Sequence, residues 1–213
     1  IHEASPRNTG PFIPLNCAAI PKELISSELM GYEDGAFTGA KRGGQAGKFE
    51  LANGGTIFLD EIAEMPMDMQ CSLLRILEDR VVCRIGGSKY HPVNVRIVAA
   101  TNRDLWKCVQ RGTFRLDLYF RLNVIRIELP PLRDRTGDID ILVPYLLERA
   151  ARKNRVPMVA ISGEVMELFR RYYWPGNVRE LKNVVEKCAV MTTSDTVTLE
   201  NLPKDVLRQL SSS

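Results

Sequence analysis

Two adjacent carboxylates, Asp60 and Glu61, directly follow the apolar run Thr56-Ile57-Phe58-Leu59. Metal-assisted phosphoryl transfer uses such a pair, because one carboxylate holds Mg²⁺ while the other orients or deprotonates the attacking water. A solvated strand end is the ordinary alternative. The preceding Gly54-Gly55 favours the first interpretation, since glycines let a phosphate or a neighbouring loop approach closely. The pattern indicates a nucleotide site at this position.

Polar residues also end two other predicted strands. The run Phe12-Ile13-Pro14-Leu15 ends at Asn16, and the run Val95 to Ala100 ends at Thr101-Asn102. In open α/β sheets, ligands bind outside the carboxyl ends of the strands. The neutral amide of Asn102 could position a water molecule or sense a γ-phosphate beside the acidic pair. The alternative is a simple cap at the end of a strand.

Three arginines are candidates for binding a phosphate. Arg115 and Arg121 lie six residues apart in an apolar segment, and arginine is suited to stabilising transferred phosphoryl charge, often from a neighbouring subunit. Arg179 lies in the first turn of a predicted helix, where the helix dipole favours anions, so a phosphate facing this helix end would explain it. The alternatives are surface arginines that pair with nearby acids, and a solvent-directed arginine on a lid.

The run Gly35-Ala36-Phe37-Thr38-Gly39-Ala40 is a small loop with one aromatic residue. Phe37 could belong to the core, but its neighbours provide neither an amphipathic period nor the large apolar residues of a buried strand. We therefore favour an exposed tip that contacts a partner.

The elements that must position these residues form an α/β pattern. Short apolar runs alternate with helical patterns over the first two-thirds of the chain, which predicts a parallel sheet covered by helices, with a fourth strand at Val124 to Leu129. We place a domain boundary after residue 133, giving an α/β part at 1–133 and an all-helical part at 134–213. The last of three predicted helices, Val178 to Met191, opens with Asn177, and Glu180 comes three residues after it in a capping-box pattern.

Bulk composition restricts the possible classes of protein. A net charge of +3 is too weak to indicate nucleic-acid binding by itself, and no apolar stretch approaches the length of a membrane span. The five cysteines are scattered, without a Cys-x-x-Cys pair, which favours free thiols in a reducing cytoplasm over a zinc site or a disulfide framework.

The loop Gly35 to Ala40 is similar to the signature loop of bacterial sigma-54-dependent transcription activators, the NtrC class of AAA+ ATPases. This six-residue loop is the most specific feature, whereas an acidic strand end is general to P-loop ATPases. The resemblance implies a AAA+ P-loop NTPase fold, an α/β parallel sheet flanked by helices and followed by a small all-helical lid. It covers essentially the whole chain, and its other matching runs are Pro11 to Ala19, Gly54 to Ile62, Ala100 to Leu105 and Trp174 to Leu181.

The resemblance implies a role for each residue of the nucleotide site, which would bind ATP and Mg²⁺. Asp60 and Glu61 would be the Walker B pair, with Asp60 at the metal and Glu61 polarising the hydrolytic water. Asn16 matches an asparagine that restrains this glutamate and links it to the contact loop. Asn102 would lie in the sensor I segment.

The remaining candidates are implied to act between molecules or on the lid. Arg115 and Arg121 match an arginine pair that reaches into the adjacent subunit's site, although Leu116 stands where family members usually carry an acid. Arg179 would be sensor II on the lid. The loop residues, supported by a second loop near Arg84 to Gly87, would contact sigma-54 and are Gly35, Ala36, Phe37, Thr38, Gly39 and Ala40.

The resemblance further implies a cytoplasmic ring, a hexamer with ATP between its subunits. Hydrolysis would move the loop against sigma-54 in the RNA polymerase holoenzyme and drive open-complex formation. Contact with DNA would occur only through a C-terminal domain absent from this chain, and no membrane would be involved.

One expected motif does not occur in the 213 residues. Gly-x-x-x-x-Gly-Lys-[Ser/Thr] normally cradles the phosphates, but the run Gly43 to Lys48 has the wrong spacing, and Phe49 follows the lysine. We expect a fragment that begins just after this loop, lacks the first strand of its sheet and hydrolyses ATP poorly alone. The rival interpretations are a different AAA+ remodeller and a non-catalytic binding module.

Overall fold

The chain divides into two compact units, Ile1–Arg126 and Ile127–Ser213. The structure is a computed structural model that describes residues 1–135, 137–200 and 202–211. The sequence predicts a division after residue 133. The structure places it earlier, because Leu132 is buried in the hydrophobic core of the second unit and its N–H donates a hydrogen bond to Asn177 Oδ1.

The first unit alternates strands and helices. Pro21 directly precedes the first helix, where proline is favoured because it lacks the backbone N–H that would have no partner within the helix. The strands are β1 (Phe12–Asn16), β2 (Gly31–Tyr32), β3 (Gln45–Ala46), β4 (Thr56–Asp60), β5 (Val81–Cys83), β6 (Tyr90–Pro92) and β7 (Arg96–Ala99), and the helices are α1 (Lys22–Met30), α2 (Lys48–Leu51), α3 (Met67–Asp79), α4 (Leu105–Gln110) and α5 (Leu116–Leu122).

Within the described residues, a parallel sheet of three strands in the order β1-β4-β7 forms the centre of this unit. β4 is the middle strand, and its Ile57 and Leu59 side chains are fully buried. The register pairs Asn16 with Asp60, so the carboxyl ends of β1 and β4 coincide. The predicted parallel sheet with flanking helices is confirmed.

The predicted fourth strand is wrong. Residues 124–129 form no strand in the structure. The apolar residues of this segment are exposed, with Val124 at 77%, Ile125 at 82% and Leu129 at 84%. An apolar run becomes a strand only when a neighbouring strand satisfies its backbone N–H and C=O groups. The sequence of the run alone does not reveal whether that neighbour is present.

The second unit is a helical bundle around one core. The rings of Phe169 and Tyr172 meet the buried Trp174 ring edge-on, at centroid distances of 5.6 and 4.9 Å. The unit is not all-helical, because two short strands pair in parallel between the helices. Its elements are α6 (Asp138–Asn154), β8 (Ala160–Ile161), α7 (Gly163–Arg171), α8 (Asn177–Met191), β9 (Thr196–Val197) and α9 (Lys204–Ser211).

Candidate nucleotide site and contact loop

Asp60 is the acceptor for a small hydrogen-bond network at the end of β4. Its Oδ1 accepts the Glu61 N–H at 3.0 Å, and its Oδ2 accepts a long bond of 3.4 Å from Asn16 Nδ2. Asn16 Oδ1 in turn accepts the N–H groups of Ala18 and Ala19, at 2.9 and 3.2 Å. The parallel register therefore brings Asn16 to the acidic pair, and local turns hold both side chains in place.

Asn16 contacts Asp60 rather than Glu61. The resemblance implied a restraint on the glutamate, but the register places the asparagine opposite Asp60. Glu61 instead adopts a left-handed backbone conformation, with φ of +51°, and precedes a single 3₁₀ turn at Ile62–Glu64. Such a conformation costs a non-glycine residue about 1 kcal/mol or more, and it turns the chain sharply just after the strand.

The Cys17 thiol interacts electrostatically with the carboxylates of Asp60 and Glu61. No pattern in the sequence connects this cysteine with the site. The Cys17 side chain is buried, and its N–H donates to the Asp60 carbonyl at 2.9 Å. Burial is the largest cause that raises the pKa of this thiol to about 11, and the negative charges of Asp60 and Glu61 add to it. The thiol is therefore protonated at neutral pH and is a poor nucleophile.

Asn102 follows β7, beyond the same edge of the sheet as the acidic pair. Ala100 ties the two regions together, because its N–H donates to the Leu59 carbonyl and its carbonyl accepts the Ile62 N–H. In the part of the chain that the structure describes, no hydrogen bond joins the exposed Asn102 side chain to Asp60 or Glu61. The amide is near this end of the sheet and open to solvent.

The guanidinium groups of Arg115 and Arg121 both form hydrogen bonds with residues of α3. Arg115 Nη1 lies 3.0 Å from Cys71 Sγ, and Arg121 Nη2 donates to the Leu77 carbonyl at 3.0 Å. Arg115 also makes a two-pronged pair with Asp117, at 3.0 and 2.6 Å, and this hydrogen-bonded carboxylate raises the pKa of the guanidinium. The acid that orients Arg115 is thus Asp117, one residue after the Leu116 position.

The first turn of α8 differs from the predicted capping box. Glu180 Oε2 does reach back to an N–H, but it is that of Gly176, at 2.8 Å. Asn177 has φ of +52°, and its Oδ1 accepts the Leu132 N–H at 2.7 Å instead of capping its own helix. The left-handed backbone turns the asparagine away from the helix end, so the capping-box prediction with Asn177 is wrong.

Arg179 is exposed on α8 and has no ion pair among the described residues. It lines an open groove of about 880 Å³ along this helix, together with Asn183, Lys187 and Val190. A cation near a helix N-terminus is unfavourable by itself, and the groove leaves its guanidinium accessible to an anion.

The loop with Phe37 joins the antiparallel strands β2 and β3. Gly35 and Gly39 have φ of +73° and +94°, a conformation that glycine adopts without strain. Phe37 is 43% exposed, and its ring meets the ring of the buried Tyr32 edge-on at a centroid distance of 5.0 Å, while Thr38 is exposed. The aromatic side chain thus lies at a surface, supported from one side.

A second loop, which begins after β5, lies directly against the first. The Glu33 N–H donates to the Ile85 carbonyl, and the Ile85 N–H donates to the Gly31 carbonyl, both at 3.0 Å. A Cβ at Gly86 would lie 2.8 Å from the Ala36 Cβ, so only glycine allows this approach. The two loops form one surface.

An ion pair at the base of both loops was missed by sequence reasoning. Arg84 Nε and Nη2 donate to the two Glu50 carboxylate oxygens at 2.8 Å each. Glu33 Oε1 lies 3.5 Å from Arg84 Nη1, and His91 Nδ1 lies 3.5 Å from Glu50 Oε2. Hydrogen bonding from Arg84 is the largest cause that lowers the pKa of Glu50. The partners are 34 residues apart in sequence, so no local spacing signals them.

Comparison with known families identifies both units. Residues 1–128 match the family model described as the sigma-54 interaction domain, and residues 133–213 match the AAA+ ATPase lid domain. The chain therefore belongs to the sigma-54 interaction domain family of AAA+ proteins, followed by its lid. Within the described residues, no helix combines the length and apolar character that crossing a membrane requires.

Individual relatives agree with this family. The Nif-specific regulatory protein of Herbaspirillum seropedicae is 53% identical over 93% of this chain and 36% of its own length. The DNA-binding transcriptional regulator NtrC of Proteus hauseri is 51% identical over 97% of this chain and 43% of its own length. The crystal structure of NtrX from Brucella abortus in complex with ADP matches 96% of this chain and 45% of that chain, with 35% identity and a TM-score of 0.86. The chain thus spans less than half the length of these relatives, and the name of the Proteus hauseri protein is that of a DNA-binding transcriptional regulator.

Proposed function

We propose that this member of the family is the ATP-hydrolysing central domain of a cytoplasmic transcriptional activator that remodels sigma-54 RNA polymerase holoenzyme to drive open-complex formation. The observation that carries the proposal is the arrangement of the first unit. One compact body holds an acidic strand end suited to a nucleotide and a solvent-exposed hairpin loop that presents Phe37 and Thr38.

The acidic pair fits a divalent cation. Neither Asp60 nor Glu61 forms an ion pair with a lysine or arginine among the described residues, and their uncompensated charge helps to raise the pKa of the Cys17 thiol. Asp60, held by Asn16, would bind the Mg²⁺ that accompanies ATP, and bound Mg²⁺ would neutralise charge on the phosphates. Glu61 would orient the attacking water, with Asn102 placed to help at the same sheet edge.

The arginines complete the proposed site. Arg115 and Arg121 would reach the nucleotide of the adjacent subunit in a ring, proposed to be a hexamer, where they would stabilise charge on the transferred phosphoryl group. Arg179 would bind the nucleotide from the lid. Their accessibility supports this assignment, since the Arg115 side chain is 36% exposed and Arg121 and Arg179 are exposed.

The contact loop is proposed to bind sigma-54 through Gly35 to Ala40. The base of the loop leads through β3 to α2, where Glu50 pairs with Arg84 of the second loop. A shift of either loop would therefore move the other. DNA contact is assigned to a C-terminal domain outside this chain.

The phosphate-cradling run Gly-x-x-x-x-Gly-Lys-[Ser/Thr] does not occur among the 213 residues. We therefore propose that residues 1–213 alone hydrolyse ATP poorly or not at all. Tests of activity require the full product of the gene.

Thr38→Ala in that full product tests the assignment of the loop. Thr38 is exposed at the tip, far in sequence from the acidic pair, so the substitution should spare ATP hydrolysis while open-complex formation falls at least about tenfold, as for an interface side chain worth roughly 1.4 kcal/mol. Thr38→Ser, which keeps the hydroxyl, is the matched control. Undiminished activation by Thr38→Ala would show that the loop is not the sigma-54 contact.

A further inference from the structure

Gln70 on α3 is a fully buried polar side chain whose amide is completely used. Its exposure is 0%, which is unusual for glutamine. Nε2 donates to the carbonyls of Met65 and Thr113, at 2.8 and 3.1 Å, and Oε1 accepts the Arg115 N–H at 2.8 Å. The reverse orientation of the amide would place donor against donor and acceptor against acceptor, so the network fixes its orientation.

Among the described residues, Gln70 Oε1 is the one acceptor of the Arg115 N–H. Arg115 is the residue before α5, and the first N–H groups of a helix have no carbonyl within the helix to bind. Gln70 supplies the acceptor from α3. The neighbouring Cys71 meets the Arg115 guanidinium, so consecutive residues of one helix hold the main chain and the side chain of the same arginine.

Gln70 also reaches the segment that follows the acidic pair. Glu61 begins the 3₁₀ turn Ile62–Glu64, and the Met65 N–H closes that turn onto the Ile62 carbonyl at 3.1 Å. The Met65 carbonyl then accepts from Gln70. A single buried amide therefore joins the end of the Glu61 turn to the backbone of Arg115.

We infer that Gln70 is a positioning residue for Arg115. By holding the Arg115 backbone, Gln70 sets the direction in which the arginine is presented to a neighbouring subunit. This inference rests on the proposed function, in which Arg115 acts in a second molecule. A role in folding alone would require the hydrogen bonds to stabilise the unit without affecting where the guanidinium lies. Because a displacement of about 1 Å in a reacting group can reduce a rate about 100-fold, the two roles give different results.

Gln70→Met keeps the size of the side chain and removes all three hydrogen bonds. In the full gene product, we expect kcat for ATP hydrolysis to fall about 100-fold while KM for ATP changes little, because the residues proposed to bind the nucleotide within its own subunit are unchanged. Ser72→Ala is the matched control on the same helix, since the Ser72 hydroxyl bonds, among the described residues, only to the Asp68 carbonyl of α3. It should hydrolyse ATP at the normal rate.

Mixing variants shows which half of the site Gln70 serves. In a ring that mixes the two variants, a Glu61→Gln subunit supplies an intact Arg115 to the site of a Gln70→Met subunit, whose Glu61 is intact. ATP hydrolysis by this mixture should therefore be at least about tenfold higher than that of either variant alone. Gln70→Met should not be rescued by Arg115→Ala, since neither partner then supplies a positioned arginine. Rescue by Arg115→Ala, or no rescue by Glu61→Gln, would overturn the inference.

Two controls separate other kinds of failure. A mixture of Arg115→Ala with Glu61→Gln should recover hydrolysis; if it does not, the proposal of an arginine acting between subunits fails, and the role of Gln70 fails with it. If Gln70→Met does not fold, Gln70→Asn takes its place in both mixtures. Its amide is one methylene shorter and cannot reach the Arg115 N–H and the two carbonyls at once, so the same pattern of rescue is expected with a smaller initial loss.

Discussion

Two arginine–carboxylate pairs in the first unit have the same chemistry in different surroundings. Arg84 and Glu50 join segments 34 residues apart, and their side chains are only 20% and 14% exposed. Arg115 and Asp117 are two residues apart, and their side chains are 36% and 45% exposed. A shielded, long-range pair holds parts of the fold together, whereas an exposed local pair is screened by solvent and is readily exchanged for another anion.

This difference suits the roles proposed for the two regions. The base of the contact loops has to keep its shape, and Arg84 gives it a fixed connection to α2. In the proposed function, Arg115 would meet a phosphate of another subunit, and Asp117 would hold it in a suitable direction until then. The backbone of Arg115, whose N–H donates to Gln70 Oε1, would stay in place when the guanidinium changes partner.

Arg115→Ala should produce the largest effect. We expect ATP hydrolysis by the full gene product to fall about 1,000-fold, since an arginine that stabilises the transferred phosphoryl group contributes this much or more. Thermal unfolding should change little, because an exposed ion pair contributes little to stability. Steady-state hydrolysis and a melting curve on the same sample check both statements. Normal hydrolysis would remove Arg115 from the site.

Glu50→Gln should show the opposite balance. Removing this charge while keeping the shape should lower the free energy of unfolding by about 1–2 kcal/mol, because the charge and one of the two hydrogen bonds from the Arg84 guanidinium are lost in a shielded place. Urea unfolding followed by circular dichroism measures this change. Asp117→Asn is the matched control at the exposed pair and should leave the urea midpoint nearly unchanged. Equal effects of the two substitutions would contradict the comparison.

Acid should remove the difference between wild type and Glu50→Gln. The pKa of Glu50 is lowered from 4.5, chiefly by the hydrogen bond from Arg84, so the folded state binds this proton less tightly than the unfolded state does. The resulting stability is present above pH 4.5 and is lost as the pH falls through the lower folded pKa. The gap in urea midpoints should therefore narrow below pH 4.5, and a constant gap would show that Glu50 acts through its shape alone.

Sequence reasoning found what local patterns encode. Fully apolar runs ending in a polar residue located the parallel strands, including the one that delivers Asp60. The predicted strand at 124–129 is wrong, because an apolar run does not tell whether a pairing strand is present. The predicted capping box at Asn177 is wrong, because the left-handed backbone of this residue directs its side chain to Leu132. Contacts across the fold left no local signal. Arg84–Glu50 depends on loop packing, and Gln70 resembles an ordinary polar helix residue until its burial is known.

The most direct test of the central claim is capture of sigma-54 by the full gene product in three states: without nucleotide, with ATP, and with ADP plus aluminium fluoride as a mimic of the transferred phosphate. The proposed function predicts stable capture only with the mimic, and its loss in Thr38→Ala while nucleotide binding persists. Tight nucleotide binding without capture in any state would contradict it, and the domain would then be a AAA+ remodeller of another target.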